Sequence, residues 1–240
     1  MGMLDGKIAL VTGAGRGTGR AVALLLAKEG ARVIICARSE GELNDTVRLI
    51  SSIGGVAEAI ECDMADEKAV IALFAHIQTT YGTLDILVNN AAIFSGAYVE
   101  DVSMVEYHRV MQVNAAAVFL CCREAFGLMK EEGGSIVNIS SLSGVQGAKK
   151  FPGFSAYCAS KFAVIGITEA LAEEGKDYGI RVNAVAPGAV DTGMLRDAFP
   201  GFDGLALKPE QVADAILFLA GPRSSAVNGA TLQLSSDFLQ

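Results

Sequence analysis

The 240-residue sequence predicts an α/β fold in which helices flank a doubly wound, seven-stranded parallel sheet. Two observations predict this class. Short, β-rich apolar runs alternate with amphipathic helical stretches along the chain, which is the pattern of parallel sheets with helical crossovers. A glycine-rich turn at residues 13–19 follows the first apolar run and opens the first helical stretch. We interpret residues 1–240 as a single domain, because 51% hydrophobic residues over this length suffice for one large core.

The first half of the chain contains four predicted strands, each a short apolar run bounded by turn residues. They cover residues 7–12, 32–36, 56–62 and 84–88. Helices are predicted between them at residues 20–29, 42–53 and 65–81, where apolar side chains recur at helical spacing. A glycine follows each of these helices, at Gly30, Gly54 and Gly82, as is common at helix ends.

The second half repeats the alternation with longer helices. Its predicted strands cover residues 135–139, 181–186 and 230–234, and its helices cover residues 104–129, 155–177 and 209–220. Pro209 stands at the first position of the last helix, where a missing N–H costs nothing. Most connections between strands are therefore long enough for a helical crossover, which favours a parallel sheet.

Charge and cysteine content exclude several classes of function. The formal net charge of −8 disfavours binding to nucleic acid or to an anionic membrane. The five cysteines are scattered and, together with the two histidines, show no metal-ligand spacing, so we expect no metal. Free thiols, the lack of a leader pattern and the lack of a membrane-length apolar run predict a cytoplasmic protein.

The glycine turn is a candidate phosphate site. Its sequence is Gly13-Ala14-Gly15-Arg16-Gly17-Thr18-Gly19, between a strand and a helix. Glycines let the backbone turn sharply and approach a pyrophosphate, which then lies at the positive end of the helix. The alternative is an ordinary tight turn, but the strand–turn–helix context favours a dinucleotide.

The end of the second strand bears on the choice of cofactor. An acidic residue at this position binds the ribose hydroxyls of NAD in many nucleotide folds. Here Ala37 and Arg38 follow the strand, so no carboxylate is expected to repel a 2′-phosphate. Arg38, with Arg16 from the glycine turn, can pair with such a phosphate, unless both are simply solvated arginines. We therefore expect NADP(H) as the preferred cofactor and NAD(H) as the alternative.

Tyr157 and Lys161 form a candidate acid/base pair. They are four residues apart in a predicted helix, so both side chains lie on one face. A nearby ammonium is expected to lower the pKa of a phenol towards neutral pH. Without other signals, such a pair is usually explained as two neighbours on a helix surface.

Other polar residues point to the same edge of the sheet. Asn89, Ser141 and Pro187 each follow a predicted strand, and ligands bind at the carboxyl ends of strands in open α/β sheets. Asn114, in the middle of a long helical stretch, is interpreted as either a structural plug or part of a polar relay. Asp63 is interpreted from its position as the cap of the following helix.

These motifs together resemble the short-chain dehydrogenase/reductase family over nearly the whole chain. The resemblance is carried by the spacing Thr12-Gly13-x-x-x-Gly17-x-Gly19, by Asn89-Asn90-Ala91, by Asn114, Ser141, Tyr157 and Lys161, and by Pro187-Gly188-x-Val190-x-Thr192. It implies a Rossmann-type fold and hydride transfer between a nicotinamide cofactor and a carbonyl or alcohol. The generic likeness is to β-ketoacyl reductases, which makes a 3-oxoacyl thioester one candidate substrate.

The resemblance also implies roles for individual residues. Tyr157 would exchange a proton with the substrate oxygen, Lys161 would lower the Tyr157 pKa and bind the nicotinamide ribose, and Ser141 would hold the substrate oxygen. Asn114 would position a relay water. The implied cofactor-binding residues are Gly13, Gly15, Arg16, Gly17, Thr18, Gly19, Arg38, Asp63, Met64, Asn90, Ala91, Tyr157, Lys161, Pro187, Gly188, Val190 and Thr192.

The chain departs from the family pattern in three places relevant to the site. Ala92 stands where glycine is usual, the stretch between Ser141 and Tyr157 is longer by about the three residues 148–150, and the lid segment 187–209 is short. Ser141 is nevertheless preferred over Ser140 and Ser143.

The expected partners are a small-molecule carbonyl or alcohol and a second copy of the chain, as a homodimer or homotetramer. A non-catalytic, nucleotide-sensing protein of the same fold is the alternative function.

Overall fold

The computed structural model describes residues 2–236. The strands are β1 (Ile8–Thr12), β2 (Arg32–Ala37), β3 (Val56–Glu61), β4 (Ile86–Asn89), β5 (Gly134–Ile139), β6 (Ile180–Pro187) and β7 (Thr231–Leu234). The helices are α1 (Gly17–Lys28), α2 (Glu40–Ser52), α3 (Glu67–Tyr81), α4 (Met104–Met111), α5 (Ala117–Met129), α6 (Ser155–Glu174), α7 (Gly193–Ala198) and α8 (Pro209–Ala220).

The sheet has the predicted doubly wound, Rossmann-type architecture. Its strand order is β3-β2-β1-β4-β5-β6-β7, and every neighbouring pair is parallel. The chain reverses its direction of travel across the sheet between β1 and β4, which both flank the centre. A crevice at such a switch point is where open α/β sheets bind ligands.

Two apolar layers cover the two faces of the sheet. Successive residues of β1 point to opposite faces, so Val11 packs with the side chains of α1, α2 and α8, and Leu10 packs with those of α3, α5 and α6. Both residues are fully buried. This double burial explains why the central strands are continuous apolar runs and do not alternate.

A chain of buried amides ties β4, β5 and α6 together. Asn89 Nδ2 donates to Asn138 Oδ1 at 2.9 Å, and Asn138 Nδ2 donates to Thr168 Oγ1 at 3.0 Å. Each of these polar groups is buried, so losing one partner would leave an unsatisfied group in the core. These hydrogen bonds fix the carboxyl ends of two central strands, β4 and β5, from which much of the cleft is built.

Two of the predicted helices differ from the observed ones by an interruption or a later start. The predicted helix at 104–129 is interrupted by a π-helical turn, Gln112–Ala116, between α4 and α5. The helix predicted at 65–81 begins at Glu67, and its cap is Asp66, whose carboxylate accepts from Lys68 N and Ala69 N. The prediction of Asp63 as the cap is therefore wrong.

Two further features concern membrane spans and metal sites. No helix within residues 2–236 is both long and apolar enough to cross a membrane. In the same residues, no cluster of three or more His, Cys, Asp or Glu side chains could hold a metal ion.

Candidate active site

A cleft of about 1910 Å³ opens at the carboxyl ends of the strands. All the residues predicted to bind the cofactor line it, and so do Ser141, Tyr157 and Lys161. Asn114 is fully buried behind it. The topology thus brings together side chains from the glycine turn, the ends of β2 to β6 and the start of α6.

The glycine turn is attached to β4 by four hydrogen bonds. Thr12 Oγ1 accepts from Asn90 N and Ala91 N, both at 3.0 Å. Asn90 Nδ2 donates to Thr12 O at 2.9 Å and to Gly13 O at 3.1 Å. The turn is therefore held in shape by the protein itself, with α1 starting at Gly17 inside it.

The turn needs glycine at specific positions. Gly13 and Gly17 have φ angles of +67° and +55°, in the left-handed region that favours glycine. A Cβ on Gly19 would lie 2.3 Å from Gly13 O and 2.5 Å from Asn90 Nδ2. With the N-terminus of α1 facing the cleft, these residues fit the pyrophosphate of a dinucleotide.

The end of the cleft beside β2, where the family resemblance implies the adenosine and which we call the adenosine end, contains a carboxylate that the sequence analysis missed. Arg38 is exposed and lines the cleft as expected, but Glu42 reaches the same region from the first turn of α2. Its Oε1 lies 3.8 Å from Arg16 Nε. The expectation that no carboxylate stands here is therefore wrong. Helix α2 begins at Glu40, two residues earlier than predicted, and this early start places its first turn over the glycine turn.

Asp63 lines the cleft next to Met64. Its Oδ1 accepts from Ala65 N at 2.9 Å, so the carboxylate stabilises the bend between β3 and α3. The adenine-side role that the family resemblance implies for Asp63 stays a prediction.

Tyr157, Ser141 and Lys161 lie together at the other end of the cleft. The Ser141 side chain lies beside Tyr157 and acts to lower the pKa of its hydroxyl. Lys161 Nζ lies 5.7 Å from the centroid of the Tyr157 ring and donates to Ile139 O at 2.8 Å. A phenol, a hydroxyl and an ammonium therefore share one small volume beside the end of β5.

The pKa values in this volume differ from the sequence prediction. Desolvation of the phenol raises the pKa of Tyr157 to about 12, and Ser141 acts in the opposite direction. Burial also lowers the pKa of Lys161, to about 8. The predicted lowering of the Tyr157 pKa by Lys161 is therefore not seen, because the cost of burying a charged phenolate dominates.

Burial of Lys161 should appear in the pH dependence of stability. Below pH 8 the folded protein pays for a buried ammonium, and this cost disappears as pH rises to 10.5, the unfolded value. The stability difference between Lys161→Met and the wild type should therefore change by about 3 kcal/mol in favour of the wild type from pH 7 to above pH 10. Urea unfolding at several pH values measures it. The exposed Lys176→Met is the control, and parallel curves for wild type and Lys161→Met would contradict the expectation.

Asn114 lies in the π-helical turn, behind the cleft. Its Oδ1 accepts from Ile93 N at 2.8 Å, and its Nδ2 donates to Ile93 O at 2.9 Å and Ser160 Oγ at 3.1 Å. The extra residue in the turn lets the amide face the backbone after β4, a common use of such turns at functional sites. Asn114 thereby links this backbone to α6, which also contains Tyr157 and Lys161.

The neighbouring serines have different partners from Ser141. Ser140 Oγ is buried and donates to Lys161 O at 2.8 Å, so it anchors α6 to β5. Ser143 is buried and its N–H donates to Ser141 Oγ at 3.1 Å. Of the three serines, Ser141 is the one whose side chain acts on the pKa of Tyr157.

A cluster of phenylalanine rings packs beside Tyr157 in the cleft. Phe94 lies with its ring centroid 5.2 Å from that of Tyr157, 4.8 Å from Phe154 and 5.6 Å from Phe199. Phe154 stacks on Phe199 at 5.7 Å, and Phe151 lies 5.5 Å from Phe154. We call these four phenylalanines the aromatic cluster. Sequence analysis missed it because they come from three separate segments, although Phe154 stands three residues before Tyr157.

The residues inserted between Ser141 and Tyr157 have a structural role. Lys150 Nζ donates to the carbonyl oxygens of Val145 at 2.6 Å, Ala148 at 2.8 Å and Leu142 at 3.3 Å. The loop that begins at Ser141 is therefore closed by its own lysine. These contacts order the longer loop that follows Ser141.

Comparison with known proteins agrees with this geometry. The family model described as short chain dehydrogenase matches residues 7–201. The chain is 45% identical to a 3beta-hydroxysteroid dehydrogenase of Mediterraneibacter gnavus over 80% of this chain and 69% of the relative. It is 37% identical to a 3-oxoacyl-[acyl-carrier-protein] reductase of Thermotoga maritima, over 95% of this chain and 96% of the relative.

A solved structure shows the same fold. A short chain dehydrogenase of Burkholderia cenocepacia in complex with NADP superposes with a TM-score of 0.89 at 36% identity, covering 98% of each chain. These relatives are dehydrogenases and reductases, which argues against the non-catalytic alternative. The protein is therefore an NAD(P)-dependent oxidoreductase, and its chain belongs to the short-chain dehydrogenase/reductase family.

Proposed function

We propose that the protein transfers hydride between NADP(H) and a secondary alcohol or ketone that is part of an apolar ring system. The observation behind this proposal is the aromatic cluster packed against Tyr157 in the cleft. Phenylalanine rings offer apolar, flat surfaces and no hydrogen bonds, so they suit a rigid ring better than a sugar or a polar chain. The similarity to a hydroxysteroid dehydrogenase supports the same substrate class.

Each polar residue near Tyr157 has a part in this reaction. When bound, the nicotinamide cofactor supplies or accepts the hydride. Tyr157 donates its proton to the ketone oxygen, and its raised pKa keeps the phenol protonated at neutral pH for this direction. Ser141 holds the substrate oxygen beside the phenol. Lys161 binds the cofactor ribose, and Asn114 keeps α6 and the β4 end in register for proton relay.

NADP(H) is proposed as the preferred cofactor from the charges at the adenosine end. Arg38 is exposed at the end of β2, and Arg16 extends from the glycine turn into the same region. Two guanidinium groups can hold a 2′-phosphate through charge-assisted hydrogen bonds. The similar Burkholderia cenocepacia structure contains NADP.

A panel of ketones tests the substrate class. We expect NADPH oxidation with a 3-oxosteroid and with cyclohexanone, and a kcat/KM for the steroid at least about tenfold above that for acetone, because only the steroid fills the apolar surface. Phe199→Ala should lower kcat/KM for the steroid by about tenfold and leave acetone unchanged. Phe218→Ala, an exposed phenylalanine on α8, is the matched control. Equal loss for both ketones would contradict the assignment.

A 3-oxoacyl thioester is a second candidate, favoured by the similarity to a 3-oxoacyl-[acyl-carrier-protein] reductase. The basic residues near the cleft give it little support as a carrier-docking surface. Lys150 is engaged with three carbonyls, and Arg123 pairs with Glu124 at 2.8 Å. Adding acetoacetyl thioester to the panel separates the two candidates, since turnover of the thioester above every cyclic ketone would favour fatty-acid chemistry.

We also propose that the protein is a cytoplasmic homodimer or homotetramer. Helices α4, α5 and α6 expose large apolar side chains, including Val105, Phe119 and Phe162. Residues of this kind on long helices suit contact with a second copy of the chain. All five cysteines are free thiols, which suits a reducing compartment.

A further inference from the structure

We propose that Glu42 sets the balance between the two dinucleotides: it weakens binding of the 2′-phosphate and binds the 2′-hydroxyl of NAD(H). This inference rests on the proposed function, because it concerns the cofactor of the same site. It adds a negative charge to the two arginines at the adenosine end. The cofactor preference is set by two arginines and one opposing carboxylate, and the chain is expected to use both dinucleotides.

Glu42 occupies the place that an acidic residue at the end of β2 would otherwise fill. A Cβ on Gly15 would lie 2.9 Å from Glu42 Cβ, 3.1 Å from Glu42 Oε2 and 3.6 Å from Ala37 Cβ. The carboxylate therefore lies against the glycine turn, near Ala37 at the end of β2. Ala37 is too small to fill this position, and Glu42 reaches it from the next helix.

The position of Glu42 is fixed by the backbone around it. Ser39 Oγ caps α2 and accepts from Glu42 N at 3.3 Å. Arg20 Nη2 donates to Gly15 O and also to Glu42 O at 3.4 Å, which joins α1, the glycine turn and α2. Thr46 Oγ1 adds a bond to Ala14 O at 3.0 Å. The first turn of α2 is thus attached to the glycine turn, which keeps the Glu42 backbone beside that turn.

The charges explain the direction of the effect. Glu42 Oε1 lies 3.8 Å from Arg16 Nε, so the carboxylate competes with a 2′-phosphate for one of the two arginines. It also repels the phosphate directly. A ribose 2′-hydroxyl, by contrast, can donate to the same carboxylate, as in folds where an acidic residue selects NAD. The Glu42 side chain is 39% exposed, so solvent moderates both effects without removing them.

Equilibrium binding of NADPH and NADH to Glu42→Gln tests the proposal. The amide keeps the size of the side chain and removes its charge. We expect the Kd for NADPH to fall about fivefold and the Kd for NADH to rise about twofold, a change of about tenfold in their ratio. The enhancement of nicotinamide fluorescence on binding measures both constants at fixed pH and ionic strength. A thermal melt of each variant without ligand checks that the fold is intact.

Glu40→Gln is the matched control. Glu40 stands in the same turn of α2 with the same charge, and among the residues that the structure describes it is not part of the cleft lining. We expect its Kd ratio to stay within about twofold of the wild type, which separates a local effect from a change in net charge.

Three results would overturn the proposal. The first is an unchanged Kd ratio in Glu42→Gln, and the second is an equal shift in Glu40→Gln. The third is a wild-type protein that binds neither dinucleotide, which would also overturn the proposed function. The measurement does not depend on turnover. A protein that shows the expected shift but reduces no ketone would keep this inference and lose only the proposed reaction.

Discussion

Replacing Tyr157 with phenylalanine is expected to lower kcat for ketone reduction by about a thousandfold, with NADPH affinity unchanged within about twofold. The substitution removes one oxygen, the only proton donor proposed for the ketone. The ring remains, so its contact with Phe94 at 5.2 Å and the packing of α6 are kept. Single-turnover kinetics and fluorescence titration with NADPH measure the two quantities.

The control for Tyr157→Phe is Tyr178→Phe. Tyr178 is 42% exposed and lies under Lys130, outside the residues that line the cleft in the described part of the chain. The same loss of a hydroxyl there should leave kcat unchanged. Substantial turnover in Tyr157→Phe would show that another group protonates the substrate, and a parallel loss of NADPH binding would indicate a structural defect in place of a catalytic one.

Replacing Gly19 with alanine is expected to destabilise the protein by about 3 kcal/mol and to weaken dinucleotide binding by at least about tenfold. The new Cβ would lie 2.3 Å from Gly13 O, a backbone atom that cannot rotate away. The other close atom, Asn90 Nδ2, is held by two hydrogen bonds of its own. Relief of the clash must therefore deform the glycine turn.

Gly41→Ala provides the matched comparison for Gly19→Ala. A Cβ on Gly41 would meet nothing within 4 Å, and the residue lies in the first turn of α2. Alanine there should be neutral or stabilise the protein by up to about 1 kcal/mol. Urea unfolding of both variants and titration with NADPH give the result. Equal stabilities for the two variants would mean that the glycine turn yields more easily than its contacts indicate.

Much of the fold was predictable from sequence because local composition determines it. Strands such as β1 and β2 are apolar on both faces, and this double burial leaves a continuous apolar run to recognise. The residues predicted to bind the cofactor share a cleft for a similar reason, since most of them follow a strand and parallel strands end at one edge. Order along the chain was enough to place them together.

The remainder depends on contacts between segments far apart in sequence. Phe94, Phe154 and Phe199 meet only after the sheet is assembled. Glu42 reaches Arg16 because α2 starts two residues earlier than its apolar pattern indicates. The direction of the Tyr157 pKa shift depended on desolvation, which spacing between Tyr157 and Lys161 does not measure. The sequence places Tyr157 and Lys161 on one helix face but does not show how far water is excluded around them.

The hydrogen bonds between Thr12, Asn90 and the glycine turn have a consequence for the thermodynamics of recognition. Because this backbone is already ordered, a dinucleotide has little chain left to immobilise, and the entropy loss that flexible phosphate loops suffer on binding is avoided. The nucleotide end therefore acts as a rigid receptor. Adaptation to a particular substrate is left to the segment around Phe199, beyond the residues predicted to bind the cofactor.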